Sequence, residues 1–386
     1  MKLQTKKLID CYLGGLLMFA MKPIVILLGF ILRRDHALQV QGDICFIKML
    51  GGGSLVVAYP TILGLRNRHP SSKFILISTN SIKESAHTLG IFDRIDSIDD
   101  SSLFRLVVTT LSCIIRNFKT DTVIDLEVYS RLTTIFSILM CARNRIGFYL
   151  ESVFWRKYLN THLIFFQRFS PTYYWYDAIA HILDAQPASI RECREKLFQV
   201  LNLNKGRDGK YRRIAIGHGC SDLSRERMLT SEQWLSVFEK YGCLQDGTEL
   251  IFLGTMSEHT LADDIIKKIS VKFPSVKFNN YCGKLSLIES LSALSACCEF
   301  WGIDSALLHY ARFMGLKCTS FWGPTDPSTL LRPMPDIEET VMYNKVPCSP
   351  CVHIAEMPPC NGENICIQSL FKTNTQDSSA IWLINM

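Results

Sequence analysis

Asp304 and Ser305 stand where the apolar run Glu299 to Ile303 gives way to a helix-like stretch, and His309 follows Ser305 by one helical turn. A strand running into a helix start presents free backbone N–H groups and the positive end of the helix dipole, which together bind anions. His309 shares a helix face with Ser305 and could add a donor. The plainer reading of the same residues is an Asp N-cap with a core-facing His. A second polar loop, Gly323-Pro324-Thr325-Asp326-Pro327, leaves the next apolar run. Two polar strand-end loops in succession favour the anion site.

Three further groups could do chemistry. Met49-Leu50-Gly51-Gly52-Gly53-Ser54 joins a first strand to a first helix, and consecutive glycines let backbone approach a ligand closely. The loop lacks both the Gly-x-x-x-x-Gly-Lys-Ser/Thr and the Gly-x-Gly-x-x-Gly patterns of nucleotide loops. Asp125 and Glu127 close a later strand, either as a base for proton transfer or as a turn cap. No Asp-x-Asp pair occurs, so a diphosphate bridged by a metal through that motif is not expected. Cys348, Cys351, Cys360 and Cys366 form a C-terminal set that could hold a structural zinc as four thiolates. The alternative is reduced thiols packing a Pro-rich loop.

A chain of 386 residues exceeds what one core usually serves, so two domains are expected. Hydrophobic residues at 48% and charged residues at 20% exclude the disordered class. The net charge of +6 is scattered, which argues against a nucleic-acid partner. Cysteines number fifteen, most inside apolar runs, which points to a reducing compartment.

The elements that must position these residues are short β-rich runs alternating with amphipathic stretches. The first series runs Ile44 to Met49, Leu55 to Asn67, Lys73 to Ile77, Ile82 to Leu89, Thr122 to Leu126 and Leu132 to Cys141. The second has strands Arg213 to Ile216, Glu249 to Leu253, Val276 to Asn279, Glu299 to Ile303 and Thr319 to Trp322, interleaved with helices Ser231 to Lys240, Met256 to Ile269, Leu287 to Ala296 and Ser305 to Met314. This is the βαβ rhythm of two parallel-sheet α/β domains of Rossmann type. Chemistry is expected in a cleft at the carboxyl ends of the strands. Boundaries are placed at 1–38 for an apolar segment, 39–186 for the first domain, 187–212 for a polar connector, 213–345 for the second domain and 346–386 for the Cys-containing end.

Leu8 to Leu32 is almost wholly apolar between basic flanks. A span needs about 20 apolar residues, and Lys22-Pro23 divides this stretch into two shorter pieces. Two helices lying in a membrane surface are favoured over a tilted single span.

Four ordered motifs make the chain resemble glycosyltransferase family 9, the lipopolysaccharide heptosyltransferases, across Asp43 to Leu370. They are Gly283-Lys284-Leu285-Ser286-Leu287; Asp304-Ser305-Ala306-Leu307-Leu308-His309, with Ala306 at a family glycine; Phe321-Trp322-Gly323-Pro324-Thr325-Asp326-Pro327; and Cys348-Ser349-Pro350-Cys351. The resemblance implies a GT-B fold and metal-independent inverting transfer from a nucleoside-diphosphate sugar such as ADP-heptose to a glycolipid or other glycan acceptor. It implies no other cofactor, and a reaction at the inner face of the cytoplasmic membrane.

By the same resemblance Asp304, Ser305, Ala306, His309, Thr325, Asp326 and Gly254 belong to donor binding, Glu258 to the donor ribose and Arg227 to the phosphates. Gly52, Gly53, Arg131 and Arg145 belong to the acceptor side. Ser54 stands where the family carries an Asp general base, and an unassisted serine has no useful basicity near neutral pH. Glu127 is the first replacement and Asp125 the second; deprotonation helped by solvent or phosphate, or weak catalysis, are the other readings. A sugar-nucleotide epimerase and a non-catalytic nucleotide-sugar-binding scaffold are the competing functions.

Overall fold

The structure is a computed structural model that describes residues 1–203, 212–220, 224–242, 244, 246–352, 354, 358, 360 and 362–371. The chain divides into two compact units, Met1–Cys193 and Arg194–Met386.

The first unit opens with helix α1 (Leu3–Leu32) and continues with strands β1 (Ile44–Lys48), β2 (Phe74–Thr79), β3 (Arg94–Ile98), β4 (Thr122–Asp125), β5 (Asn144–Tyr149) and β6 (His162–Phe165). Between and after them lie α2 (Gly52–Val57), α3 (Tyr59–Arg68), α4 (Asn80–Leu89), α5 (Leu103–Arg116), α6 (Arg131–Leu139) and α7 (Thr172–Ile182), and the unit boundary falls within α8 (Ile190–Val200). The strands form one parallel sheet in the order β3-β2-β1-β4-β5-β6. Continuous apolar strands such as Ile44–Lys48, buried throughout, are what a parallel sheet covered on both faces requires.

The second unit repeats the topology. Strands β7 (Arg213–Gly217), β8 (Glu249–Phe252), β9 (Lys277–Asn280), β10 (Glu299–Ile303), β11 (Lys317–Trp322) and β12 (Glu339–Tyr343) form a parallel sheet in the order β12-β11-β10-β7-β8-β9. Its helices are α9 (Ser231–Tyr241), α10 (His259–Lys272), α11 (Leu287–Ser295), α12 (Ala306–Phe313), α13 (Pro327–Leu330) and α14 (Ile365–Gln368). The core packs Trp234, Phe238, Trp301 and Phe321 around the sheet, with the Phe238 and Trp301 rings stacked at 5.6 Å. In each unit the strand order reverses once, between β1 and β4 and between β7 and β10. Ligands of open α/β sheets bind at such switch points.

Two expectations need correction. Lys22-Pro23 does not split the N-terminal segment: α1 is one helix of 30 residues with Pro23 inside it. A helical proline forfeits one backbone hydrogen bond and crowds the preceding turn; here the helix is also held from outside, because one stripe of it docks on α6, with Gly14 and Met18 buried there. A Cβ on Gly14 would stand 2.7 Å from the Cβ of Arg131, so the two helices meet only because residue 14 has no side chain. Second, the stretch 187–212 is not a plain connector. It carries α8, whose Ser189 and Glu192 cap one another (Ser189 N to Glu192 Oε2, 2.7 Å; Glu192 N to Ser189 Oγ, 3.2 Å); residues 204–211 lie outside the described ones.

Candidate functional site

In the second unit, β10 delivers Asp304 and Ser305 to the start of α12 at the switch point. Ser305 is the N-cap residue, yet its side chain caps nothing, and its buried Oγ has no hydrogen-bond partner. From the neighbouring strand β11 comes Thr325, whose Oγ1 is likewise buried and unpartnered. Unsatisfied buried hydroxyls are costly. Beside an uncapped helix N-terminus they form a donor set suited to phosphate oxygens.

A cation adjoins this set. Arg227 donates through Nη1 to the Asp304 carbonyl at 2.8 Å and to Asp304 Oδ2 at 3.3 Å, and through Nε to the Ser224 carbonyl at 3.1 Å. Asp304 therefore holds the guanidinium in place. His309, one turn into α12, is buried, and loss of hydration lowers its pKa to about 4 despite the opposing pull of Asp304. The imidazole is therefore neutral at pH 7. Ala306 is the first residue of α12, and Asp326 caps α13 by accepting from Ser328 N at 2.9 Å. Asp326 thus shapes its loop through this cap.

Glu258 lies beyond the end of β8, in a capping box in which Thr255 N donates to its Oε2 at 2.6 Å. Two glycines make room for its carboxyl group. A Cβ on Gly254 would sit 2.2 Å from Glu258 Oε2, and one on Gly219 2.2 Å from Glu258 Cδ. Gly254 therefore serves as space for the carboxylate. His218, directly after β7, is buried and approaches the Glu258 carbonyl at 3.0 Å through Nε2. Neither Gly219 nor His218 was singled out from sequence, although Gly217-His218-Gly219 directly after an apolar strand is the signal that marks them.

The Gly323-Pro324 loop is braced by the chain's C-terminal part. Cys351 N and Val352 N both donate to the Pro324 carbonyl at 3.1 Å, and Ser349 Oγ donates to the Gly323 carbonyl. Cys366 packs against Gly323, and burial pushes its thiol up to about 12. No group of three potential ligands able to hold a metal is found among the described residues. Of the C-terminal set, Cys351 and Cys366 are buried and Cys348 and Cys360 half-buried, and burial raises the thiols of Cys348, Cys351 and Cys366.

In the first unit the corresponding switch point joins the loop after β1 to the residues after β4. Glu127 Oε1 accepts from Lys48 Nζ at 3.1 Å, Met49 N at 2.7 Å and Leu50 N at 2.9 Å, so the carboxylate anchors the glycine-rich loop. Its Oε2 has no partner among the described residues. Gly51 adopts φ +78°, and α2 begins at Gly52 with Gly53 in its first turn. Ser54 donates to the Gly51 carbonyl at 2.7 Å.

Asp125, second in line as a base, is corrected. It is buried in an ion pair with Arg156 at 2.9 Å, both side chains being wholly inaccessible, and it also accepts from Thr133 and from Glu127 N. Burial raises its pKa to about 6. It is framework for the Glu127 turn. Arg145 is corrected too: it sits near the amino end of β5, away from the switch point, and donates to the Leu159 and Ala142 carbonyls. Arg131 begins α6 with its guanidinium 5.4 Å from the Trp155 ring, on the side where α1 packs. Lys48 and Arg156 escaped sequence reading because their partners lie 79 and 31 residues away.

A family model described as glycosyltransferase family 9 (heptosyltransferase) matches residues 116–360. Solved structures of similar fold include a family 9 glycosyl transferase from Veillonella parvula (TM-score 0.61, 16% identity, covering 80% of this chain and 87% of that one). Another is ADP-heptose lps heptosyltransferase II from E. coli (0.59, 14%, 85% and 98%). A third is E. coli heptosyltransferase WaaC with ADP-2-deoxy-2-fluoro heptose (0.58, 13%, 79% and 93%). No curated protein matches the sequence. The shared fold is GT-B-like, with two parallel six-stranded sheets.

Proposed function

The chain belongs to glycosyltransferase family 9, and from that premise we propose that it transfers a heptose-like sugar, with inversion, from a nucleoside diphosphate to a lipid-linked glycan. The observation that carries this reading is the uncapped start of α12 with the two buried, unpartnered hydroxyls of Ser305 and Thr325.

In the proposed reaction the diphosphate is held by the first amides of α12, by Ser305 and Thr325, and by Arg227. As the acceptor hydroxyl attacks the anomeric carbon, the glycosyl–oxygen bond breaks and negative charge grows on the departing diphosphate. Arg227 and the helix N-terminus stabilise that charge, which supports a reaction independent of a metal ion. Glu258, with two oxygens able to accept from vicinal hydroxyls, is suited to a ribose. Glu127 Oε2 takes the acceptor's proton in place of the missing Asp at position 54. Lys48, 3.1 Å from Oε1, holds the carboxylate while it does so.

E. coli heptosyltransferase WaaC has been solved with ADP and with an ADP-heptose analogue. We propose the same donor class here, with a glycolipid acceptor presented at the inner face of the cytoplasmic membrane. The cysteines described are all free thiols, which supports a reducing compartment. The test is transfer from ADP-heptose to lipid-linked acceptors. Glu127→Gln should lower kcat by about 100-fold or more with donor affinity unchanged; wild-type turnover in that variant would remove Glu127 from the mechanism.

A further inference from the structure

Helix α5 is apolar on both sides. Its inner stripe, with Thr110, Cys113 and Ile114, is buried against the sheet and α6. Its outer stripe, Phe104, Val108, Leu111 and Ile115, continued by Phe118, recurs at helical spacing and is uncovered, Phe104 being 78% and Ile115 73% exposed. A helix hydrophobic all round normally has both faces covered, and a contiguous apolar patch of this extent marks an interaction surface.

What lies beside the patch identifies its occupant. The amino end of α1 meets the turn just before α5: the Met1 amine donates to the Asp100 carbonyl at 3.0 Å, and Lys6 pairs with the Asp100 carboxylate. Farther along, Asp10 accepts from Ser130 Oγ at 2.6 Å and from the Arg131 and Leu132 amides at 3.0 Å, capping α6. Met18, Met21 and Val25 then pack with Ile135, Ile138 and Leu159. So α1 lies along the unit with its other faces exposed, including Tyr12, Leu16, Phe19, Leu27 and Phe30. Both α1 and α5 pack on α6, and the amino end of α1 lies at the turn that opens α5.

The charges on these helices are mostly basic. Between Leu103 and Arg116 the only charged residues are Arg105 and Arg116, whose side chains are 66% and 64% exposed although Arg105 pairs with Asp99 at 3.1 Å and Arg116 with Asp96 at 3.7 Å. Exposed Lys2 and Lys7 precede the apolar part of α1, and Arg33 and Arg34 follow it. The single acid in α1, Asp10, is occupied in capping α6. Apolar side chains flanked by exposed lysines and arginines suit an anionic phospholipid surface.

We propose that the outer face of α5 is a second lipid-binding surface that, together with α1, seats the first unit in the headgroup layer of an anionic bilayer. The proposal rests on the reading of α1 as membrane-associated. It places the Glu127 unit at the layer where a lipid-linked acceptor is presented, and it makes α1 a helix that lies on the membrane, since a spanning helix would have to leave α6.

Flotation of the full-length protein with vesicles of equal phosphatidylcholine and phosphatidylglycerol tests this. The variant F104S/V108S/I115S changes only exposed side chains, and its thermal midpoint checks that it folds. It should partition at least about tenfold more weakly than wild type, whereas F104L/V108I/I115L should behave as wild type. In wild type, vesicles should slow amide exchange across residues 103–118. If Y12S/F19S in α1 weakens flotation but F104S/V108S/I115S does not, the α5 proposal is overturned and the α1 reading stands. Absence of wild-type flotation overturns both. If the α5 variant instead turns a vesicle-free dimer into a monomer, the face belongs to a second copy and the lipid proposal falls.

Discussion

At the scale of residues, the group at the α12 start was written in the sequence more openly than the group around Glu127. Asp304, Ser305 and His309 are local to one strand–helix junction, so spacing alone brings them together. Glu127, Lys48, Asp125 and Arg156 are drawn together across the first unit by the β1–β4 pairing and by a 3-10 turn, Glu151–Arg156, which no local pattern announces. His309 offers a pH test. Its pKa falls from 6.5 to about 4 on folding, so between those values the unfolded chain binds a proton that the folded chain does not. Stability must therefore decline as pH falls from 6.5 to about 4. Urea unfolding across this range should show wild type losing up to about 3 kcal/mol more than His309→Gln. Parallel curves would mean that His309 is not held neutral.

At the scale of elements, the strands that end at the sites were readable because each is a short apolar run followed by a break. The expected Glu299 to Ile303 is β10 as observed. Other elements hide their character. Thus α7 begins Thr-Tyr-Tyr-Trp-Tyr, a composition that favours strands, and β5 begins with Asn144 and the half-buried Arg145. Two contacts between elements carry predictions. Asp10→Ala removes the cap that α1 gives α6 and should cost about 1 kcal/mol, seen as a lowered urea midpoint. A midpoint equal to wild type would mean that α1 does not dock there. Gly219→Ala would push its Cβ into Glu258, and calorimetry should show ADP affinity reduced by about tenfold or more; unchanged affinity would separate Glu258 from the donor.

At the scale of the whole molecule, one topology occurs twice, and in each unit the chemistry-bearing residues collect where the strand order reverses. The first unit offers a carboxylate and an apolar surface flanked by exposed lysines and arginines, the second a helix N-terminus with a guanidinium. The sequence pattern showed the repeat, but not α8 within the polar stretch between the series, nor the packing of the C-terminal cysteines on the Gly323 loop. If Arg227 and the start of α12 neutralise the leaving diphosphate, removing divalent ions with EDTA should leave transfer rates unchanged. A rate restored only by added Mg²⁺ would mean that charge neutralisation is supplied from outside the chain. The most direct test of the account is calorimetric titration of ADP into the full-length protein and into the double variant S305A/T325A. Wild type should bind, and the double variant should bind at least about tenfold more weakly, a loss of roughly 1.4 kcal/mol, while folding with the same thermal midpoint. Equal affinity in the two proteins would contradict the assignment of the α12 start as the diphosphate site.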